Sequence, residues 1–143
     1  MSQPSIPISQ SDLKSDADEF HSSFRIFLNA VEMLAASAEQ QCEVMGNYNV
    51  GWELKEDVAA GQFLVGRGYL SATEESWVAA LAKAVQIVNA QVLPAGPGKD
   101  ANLQAMRHEC WAPLRFLARE VHRQLSTFAE SNANYLHLPT HAA

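Results

Sequence analysis

Residues 46–61 read GNYNVGWELKEDVAAG. Whether this stretch continues the helix before it or breaks away from it decides the fold. Upstream, Phe20, Phe24, Phe27, Val31, Leu34, Ala38 and Met45 recur mainly at steps of three and four, with Leu28, Ala35 and Cys42 widening the same stripe. That spacing predicts an amphipathic helix over residues 14–46. At about 100° per residue, Val50, Leu54, Val58 and Val65 centre nearly opposite that stripe. One straight helix would have to bury first one side and then the other. Length argues the same way: residues 14–65 as one helix would extend ~78 Å, against a radius of gyration near ~14.5 Å for a compact chain of this size. Glycine costs about 1 kcal/mol per helical position relative to alanine, and Gly46 and Gly51 fall where the phase reverses. A break or sharp kink is expected within residues 46–51, with a second helix running to about residue 65.

Downstream, Ser71-Ala-Thr-Glu74 has the form of a capping box, in which serine and glutamate side chains satisfy free amides at a helix start. Trp77, Leu81, Ala84, Val85, Val88 and Val92 then trace one face as far as Leu93, and Pro94-Ala-Gly-Pro-Gly98 stops that helix. Asp100 is placed to cap a shorter helix through Leu103, Met106 and Cys110. Pro113 either kinks that helix or begins the next. Leu114, Leu117, Val121, Leu125 and Phe128 carry the last helix to about Asn134. No run alternates with period two. The expected fold is all-α: a single-domain bundle of four to five helices, mostly antiparallel. It spans residues 12–136, between a flexible N-terminal tail (1–11) and a C-terminal tail (137–143) that leaves the bundle near Pro139.

Composition narrows the function classes. Apolar residues make up 48% and charged residues 18% of the chain, as in a globular domain, and the formal net charge is −6. That acidity argues against nucleic acid, because phosphate binding needs clustered Lys and Arg. The apolar-rich run from Trp77 to Leu93 carries Lys83, Gln86, Asn89 and Gln91, which argues against a membrane span. MSQPSIPISQ has neither the basic region nor the apolar run of a secretory signal. Cys42 and Cys110 sit among apolar residues at helical spacing, as buried thiols in a reducing cytoplasmic compartment would.

Chemistry-bearing motifs are scarce. His108-Glu-Cys110 and Glu120-Val-His122 are i,i+2 pairs, which point apart on a helix, whereas zinc sites want i,i+4 pairs or CxxC knuckles. The Glu-x-x-His motif of di-iron bundles does not occur. Gly98-Lys99 is followed by Asp100 where a phosphate loop needs Ser or Thr. No GxSxG is present. No metal, cofactor or catalytic group is therefore assigned.

Charge layout carries more. Residues 1–70 hold four basic and ten acidic side chains, whereas residues 71–143 hold six of each. Glu32, Glu39 and Glu43 fall on one side of the first helix. Past the break, Glu53, Glu56 and Asp57 share a face, and Tyr48, Trp52 and Phe63 form another. Tyr48, Asn49, Trp52, Glu53, Glu56 and Asp57, with the Glu32/Glu39/Glu43 row, are the expected partner-binding residues, since aromatics anchor and carboxylates steer. Arg115, Arg119 and Arg123 form a secondary row for contact or self-assembly. The function expected from this layout is a non-catalytic acidic helical protein that sequesters a protein partner, a basic one by charge, in the manner of an immunity protein, an antitoxin or a dedicated chaperone. Two alternatives stand beside it. One is a small enzyme or ligand-binding bundle with a polar-aromatic pocket between the first two helices, lined by Tyr48, Asn49, Trp52 and Glu56. The other is a self-assembling structural bundle, with the chain as a homo-oligomer.

Overall fold

The computed structural model describes residues 10–88 and 93–138, the first five of them by backbone alone. The heptad-like stripe of aromatics and aliphatics folds as α1 (Gln10–Ala35), which buries Phe20, Phe24, Phe27, Leu28, Val31 and Leu34. The expected single helix over residues 14–46 does not run through. It stops at Ala36, and α2 (Ala38–Met45) restarts after Ser37, whose backbone is extended and whose hydroxyl accepts a hydrogen bond from Gln40 N at 3.2 Å. The buried Gln41 amide reaches back from α2 to donate to the Met33 and Leu34 carbonyls, both at 3.0 Å. Both carbonyls lie in the last turn of α1, where a helix end leaves acceptors short of intrahelical donors, and the Met33 carbonyl also accepts from Ala36 N at 3.1 Å. Ser37-Ala-Glu-Gln40 has the spacing of a helix-start signal, but Leu34, Ala38 and Cys42 keep one apolar phase across the break and conceal it.

Gly46 then ends α2 in the left-handed region at φ 81°, where glycine avoids the steric penalty of a Cβ. The chain re-enters helical geometry at Val50 as α3 (Val50–Ala59) and tightens into a 3-10 turn over Ala60–Leu64. The capping box forms as spaced: Glu74 N lies 3.1 Å from Ser71 Oγ, and Ser71 N lies 2.8 Å from Glu74 Oε1. It starts α4 (Ala72–Ala84), which ends in a 3-10 turn at Val85–Ile87 rather than at Leu93. Val92, expected on the same face, lies outside the described residues. Helix α5 (Lys99–Met106) is entered from Gly98, with Asp100 inside its first turn rather than capping it. Pro113 sits in the first turn of α6 (Trp111–Gln124), where its missing N–H has no helical partner to lose. The last expected helix divides at Leu125 into α6 and α7 (Ser126–Tyr135).

The described residues therefore form an all-α single domain of seven α-helices, more than the four to five expected. The extra ones arise where Ser37 and Leu125 interrupt stripes whose apolar phase is continuous. No strand forms among these residues, and Tyr48 and Pro97 meet in one isolated antiparallel bridge. One connected core joins α1 to α6, α3 and α7, with α4 closing its far side and α2 resting on α5. Trp111 is fully buried at its centre and donates its indole N–H to the Ala105 carbonyl at 3.1 Å. Residues 1–9 of the expected N-terminal tail and 139–143 of the C-terminal tail lie outside the described residues.

Where the 3-10 turn crosses α1, the backbone comes against a ring. A Cβ built on Gly61 would lie 2.8 Å from Phe27 Cδ1 and closer still to Cε1. Phe27 is buried, so its ring or the Ala60–Leu64 backbone would have to shift. Gly61→Ala should destabilise the fold by about 1–3 kcal/mol through overpacking, read as a lower midpoint in urea unfolding. A change under about 0.5 kcal/mol would mean that the two segments separate easily.

Candidate protein-interaction surface

The break at residues 46–49 is a built structure. Asn47 and Asn49 join Gly46 at positive φ, 54° and 43°, a conformation that asparagine tolerates better than most residues. Their backbones pair with the loop after α4: Asn49 N donates to Gly96 O at 3.0 Å and Gly98 N to Asn47 O at 2.9 Å. Asn49 Oδ1 accepts from Gly96 N at 2.6 Å. The buried Asn102 of α5 holds both segments together. Its Oδ1 accepts from Val50 N at 2.9 Å, capping α3 from across the fold, and its amide nitrogen lies 2.7–2.9 Å from the Asn47, Gly96 and Gly98 carbonyls. Asn102 lies between Ala101 and Leu103 with nothing in the sequence to mark it.

This clamp fixes the direction in which α3 points its faces. Val50, Leu54 and Val58 are buried, while Trp52, Glu53, Glu56 and Asp57 face solvent. Tyr48 and Trp52 are 54% and 49% exposed, and Phe63 at the end of the 3-10 turn is 70% exposed. Ile26 of α1 is 66% exposed, and the two segments enclose a cleft of about 220 Å³ that includes Ile26, Phe27, Asp57, Phe63 and Leu64. Burial, and then the neighbouring charges of Glu53 and Glu56, push the Asp57 carboxyl above its ordinary range. The cleft includes none of Tyr48, Asn49, Trp52 and Glu56, the residues expected to line a pocket between the first two helices. Asn49 is half-buried in the clamp, and Tyr48, Trp52 and Glu56 stand in the open.

The Glu32/Glu39/Glu43 row is not a uniform free face. Glu32 lies 3.1 Å from His122 Nε2, linking α1 to α6. Glu39 binds Arg107, the residue that follows α5, through Nε and Nη2, and this contact holds its carboxyl below the usual range. Glu43 is exposed. The arginine row divides likewise. Arg115 is half-buried, donating to Gln41 Oε1 at 2.8 Å and to the Met106 carbonyl, so it braces α2, α5 and α6 instead of offering a contact. Arg123 pairs with Glu120 on its own helix, and Arg119 is exposed. Phe116, on the same outer side, is 72% exposed.

For chemistry the described residues offer little. No group of three His, Cys, Asp or Glu side chains could hold a metal ion among them. Burial, with Glu39 adding to it, pushes the Cys42 thiol up, away from the thiolate that a nucleophile needs. No described helix is long and apolar enough to cross a membrane.

One further titratable group is built into the core. His21 is buried and stacks on Tyr135 with ring centroids 3.8 Å apart. The Asn132 amide nitrogen lies 2.9 Å from both the His21 carbonyl and its Nδ1, so Nδ1 accepts and the ring proton belongs on Nε2. A second proton on Nδ1 would face that N–H donor. Burial holds the His21 pKa below its ordinary value of about 6.5, with Asp18 opposing. The charged form is thus disfavoured only in the folded state. Stability should be full above about pH 6.5 and fall as pH drops below it, by at most about 1.4 kcal/mol per pH unit for one proton. Thermal unfolding between pH 7.5 and 5 checks this: His21→Phe should flatten the acid slope, and an unchanged slope would remove His21 from it.

The chain matches no protein-family model, no curated protein and no solved structure.

Proposed function

We propose that this protein is a non-catalytic binding protein that sequesters a basic protein partner, through the face that α3 and the following 3-10 turn form with α1. One observation carries the reading. Ile26, Trp52 and Phe63 are exposed on helical segments, with the exposed Glu19, Glu53, Glu56 and Asp57 on the same segments. Exposed apolar side chains among charges are the anatomy of a contact surface: the anchors supply the burial, at about 25 cal/mol per Å², and the carboxylates steer and select the partner. Immunity proteins, antitoxins and dedicated chaperones act in this way, and a cytoplasmic inhibitor of a basic toxin fits the charge. The Asn102 clamp supports the reading, since it holds the surface in one conformation before binding and so limits the entropy lost on association.

The test is comparative capture from the native host at low ionic strength, with the chain and its Glu53→Lys/Glu56→Lys/Asp57→Lys variant as baits. All three side chains are exposed, so the variant should fold. A partner retained by the first bait and lost by the second is the expected result. Identical retention by both would discard this surface.

A further inference from the structure

The cleft beside Asp57 has a shape and charge that specify more than a general acidic face. We infer that it receives one apolar anchor side chain of the partner together with a neighbouring Lys or Arg, presented on a single peptide segment. This rests on the partner-binding reading above and deepens it.

Size comes first. At about 220 Å³, the cleft falls below the ~300–1,000 Å³ of sites that enclose a cofactor or small-molecule ligand, yet it suits one aliphatic or aromatic side chain. Its base is apolar, from the buried Phe27 and Leu64, and Ile26 and Phe63 form exposed walls. An anchor inserted there would take both walls out of water, which is the arrangement of an interface hot spot.

Charge then selects the anchor's neighbour. Two carboxylates, Glu19 and Asp57, and one cation, Arg67, line the cleft. Arg67 is already engaged: its Nη2 lies 3.0 Å from Asp16 Oδ1, and its guanidinium sits 5.6 Å from the centre of the Phe20 ring. Glu19 and Asp57 have no hydrogen-bond or ion-pair partner among the described residues. The raised Asp57 carboxyl accords with this, because a carboxylate partly desolvated beside Glu53 and Glu56 is what an incoming ammonium or guanidinium would relieve. An acidic or neutral segment would leave it unrelieved. On a helical segment, the anchor and the cation would sit three or four residues apart, on one face.

The probe is a phage-displayed random dodecamer library, selected on the full chain. Enriched sequences should pair an apolar residue with Lys or Arg within one helical turn. A synthetic peptide of that consensus should shift the NMR signals of Ile26 and Phe63. Phe63→Asp and Ile26→Asp, both at exposed positions that the core does not use, should abolish its binding. Asp57→Lys should weaken it at least tenfold, and Glu109→Lys, on the α5–α6 connection, should leave it unchanged. Four results would overturn the inference: no enrichment, enriched sequences without a basic residue, shifts confined to Tyr48 and Trp52, or shifts confined to the shallow recess along α5 between Asp100 and His108. If partner capture is nonetheless lost in the triple-lysine variant, the cleft assignment fails while the binding-protein reading stands. Peptides bound in the cleft together with capture indifferent to those lysines would separate the two in the other direction.

Discussion

Asn102→Asp is expected to destabilise the protein by about 3–5 kcal/mol, a large share of the ~5–15 kcal/mol that holds a typical domain folded. The substitution changes almost no volume. It replaces a buried amide nitrogen that faces the Asn47, Gly96 and Gly98 carbonyls with a second carboxylate oxygen. Each of those carbonyls keeps one backbone donor, Gly98 N, Asn49 N and Asn102 N respectively, but loses its side-chain donor and gains a repulsive carboxylate. A buried polar group that loses a partner costs about 1–3 kcal/mol, more when charge is involved. The remaining oxygen still accepts from Val50 N, so Asn102→Ala, which removes that cap as well, separates the two contributions. Urea unfolding gives the magnitude. Hydrogen exchange should show faster amides at residues 47–50 and 96–98 before any global opening. A loss below about 1 kcal/mol would mean that the 46–49 turn holds its shape without α5.

Gln41→Leu carries the second large effect, about 2–4 kcal/mol. Gln41 is fully buried and satisfies the Met33 and Leu34 carbonyls at the end of α1 while accepting from Arg115. Leucine fills the space but leaves the Leu34 carbonyl and a half-buried guanidinium short of partners, and the Met33 carbonyl with Ala36 N alone. Burial already pulls the Arg115 pKa below its usual value, so this side chain has little solvent to fall back on. The Nε of Arg115 is buried without a partner among the described residues, and its guanidinium is held through Nη2 by Gln41 and the Met106 carbonyl. A double-mutant cycle with Arg115→Met should show coupling of at least about 0.5 kcal/mol. Additivity within about 0.3 kcal/mol would dissolve the network.

Much of this architecture is legible one helix at a time. The Phe20–Leu34 stripe predicts α1 because a single face is buried along its whole length. The break after Met45 is legible because glycine and a reversal of apolar phase coincide there. At Ser37 they do not coincide. Leu34, Ala38 and Cys42 stay in phase, and what stabilises the interruption is Gln41 reaching backward, with Arg115 arriving from α6. Leu125 is similar, with buried apolar residues on both sides of a break that no glycine or proline marks. The outward direction of Trp52, Glu53, Glu56 and Asp57 could be read from the helical wheel, since it follows from burying Val50, Leu54 and Val58. The cleft could not. Ile26 looks like one more apolar residue of a long helix, and only tertiary packing sets it near Phe63. Arg115 belongs to a regular row of arginines, and its burial comes from where the ends of α2 and α5 stop.

The central claim is that an acidic, apolar-anchored face captures a basic partner. Its most direct measurement is the dissociation constant of the captured partner for the native chain and for Glu53→Lys/Glu56→Lys/Asp57→Lys, at low and at high salt. Three reversed charges should weaken binding about a hundredfold at low ionic strength, and the difference should shrink as salt screens the pairs. Equal affinities at low ionic strength would contradict the claim.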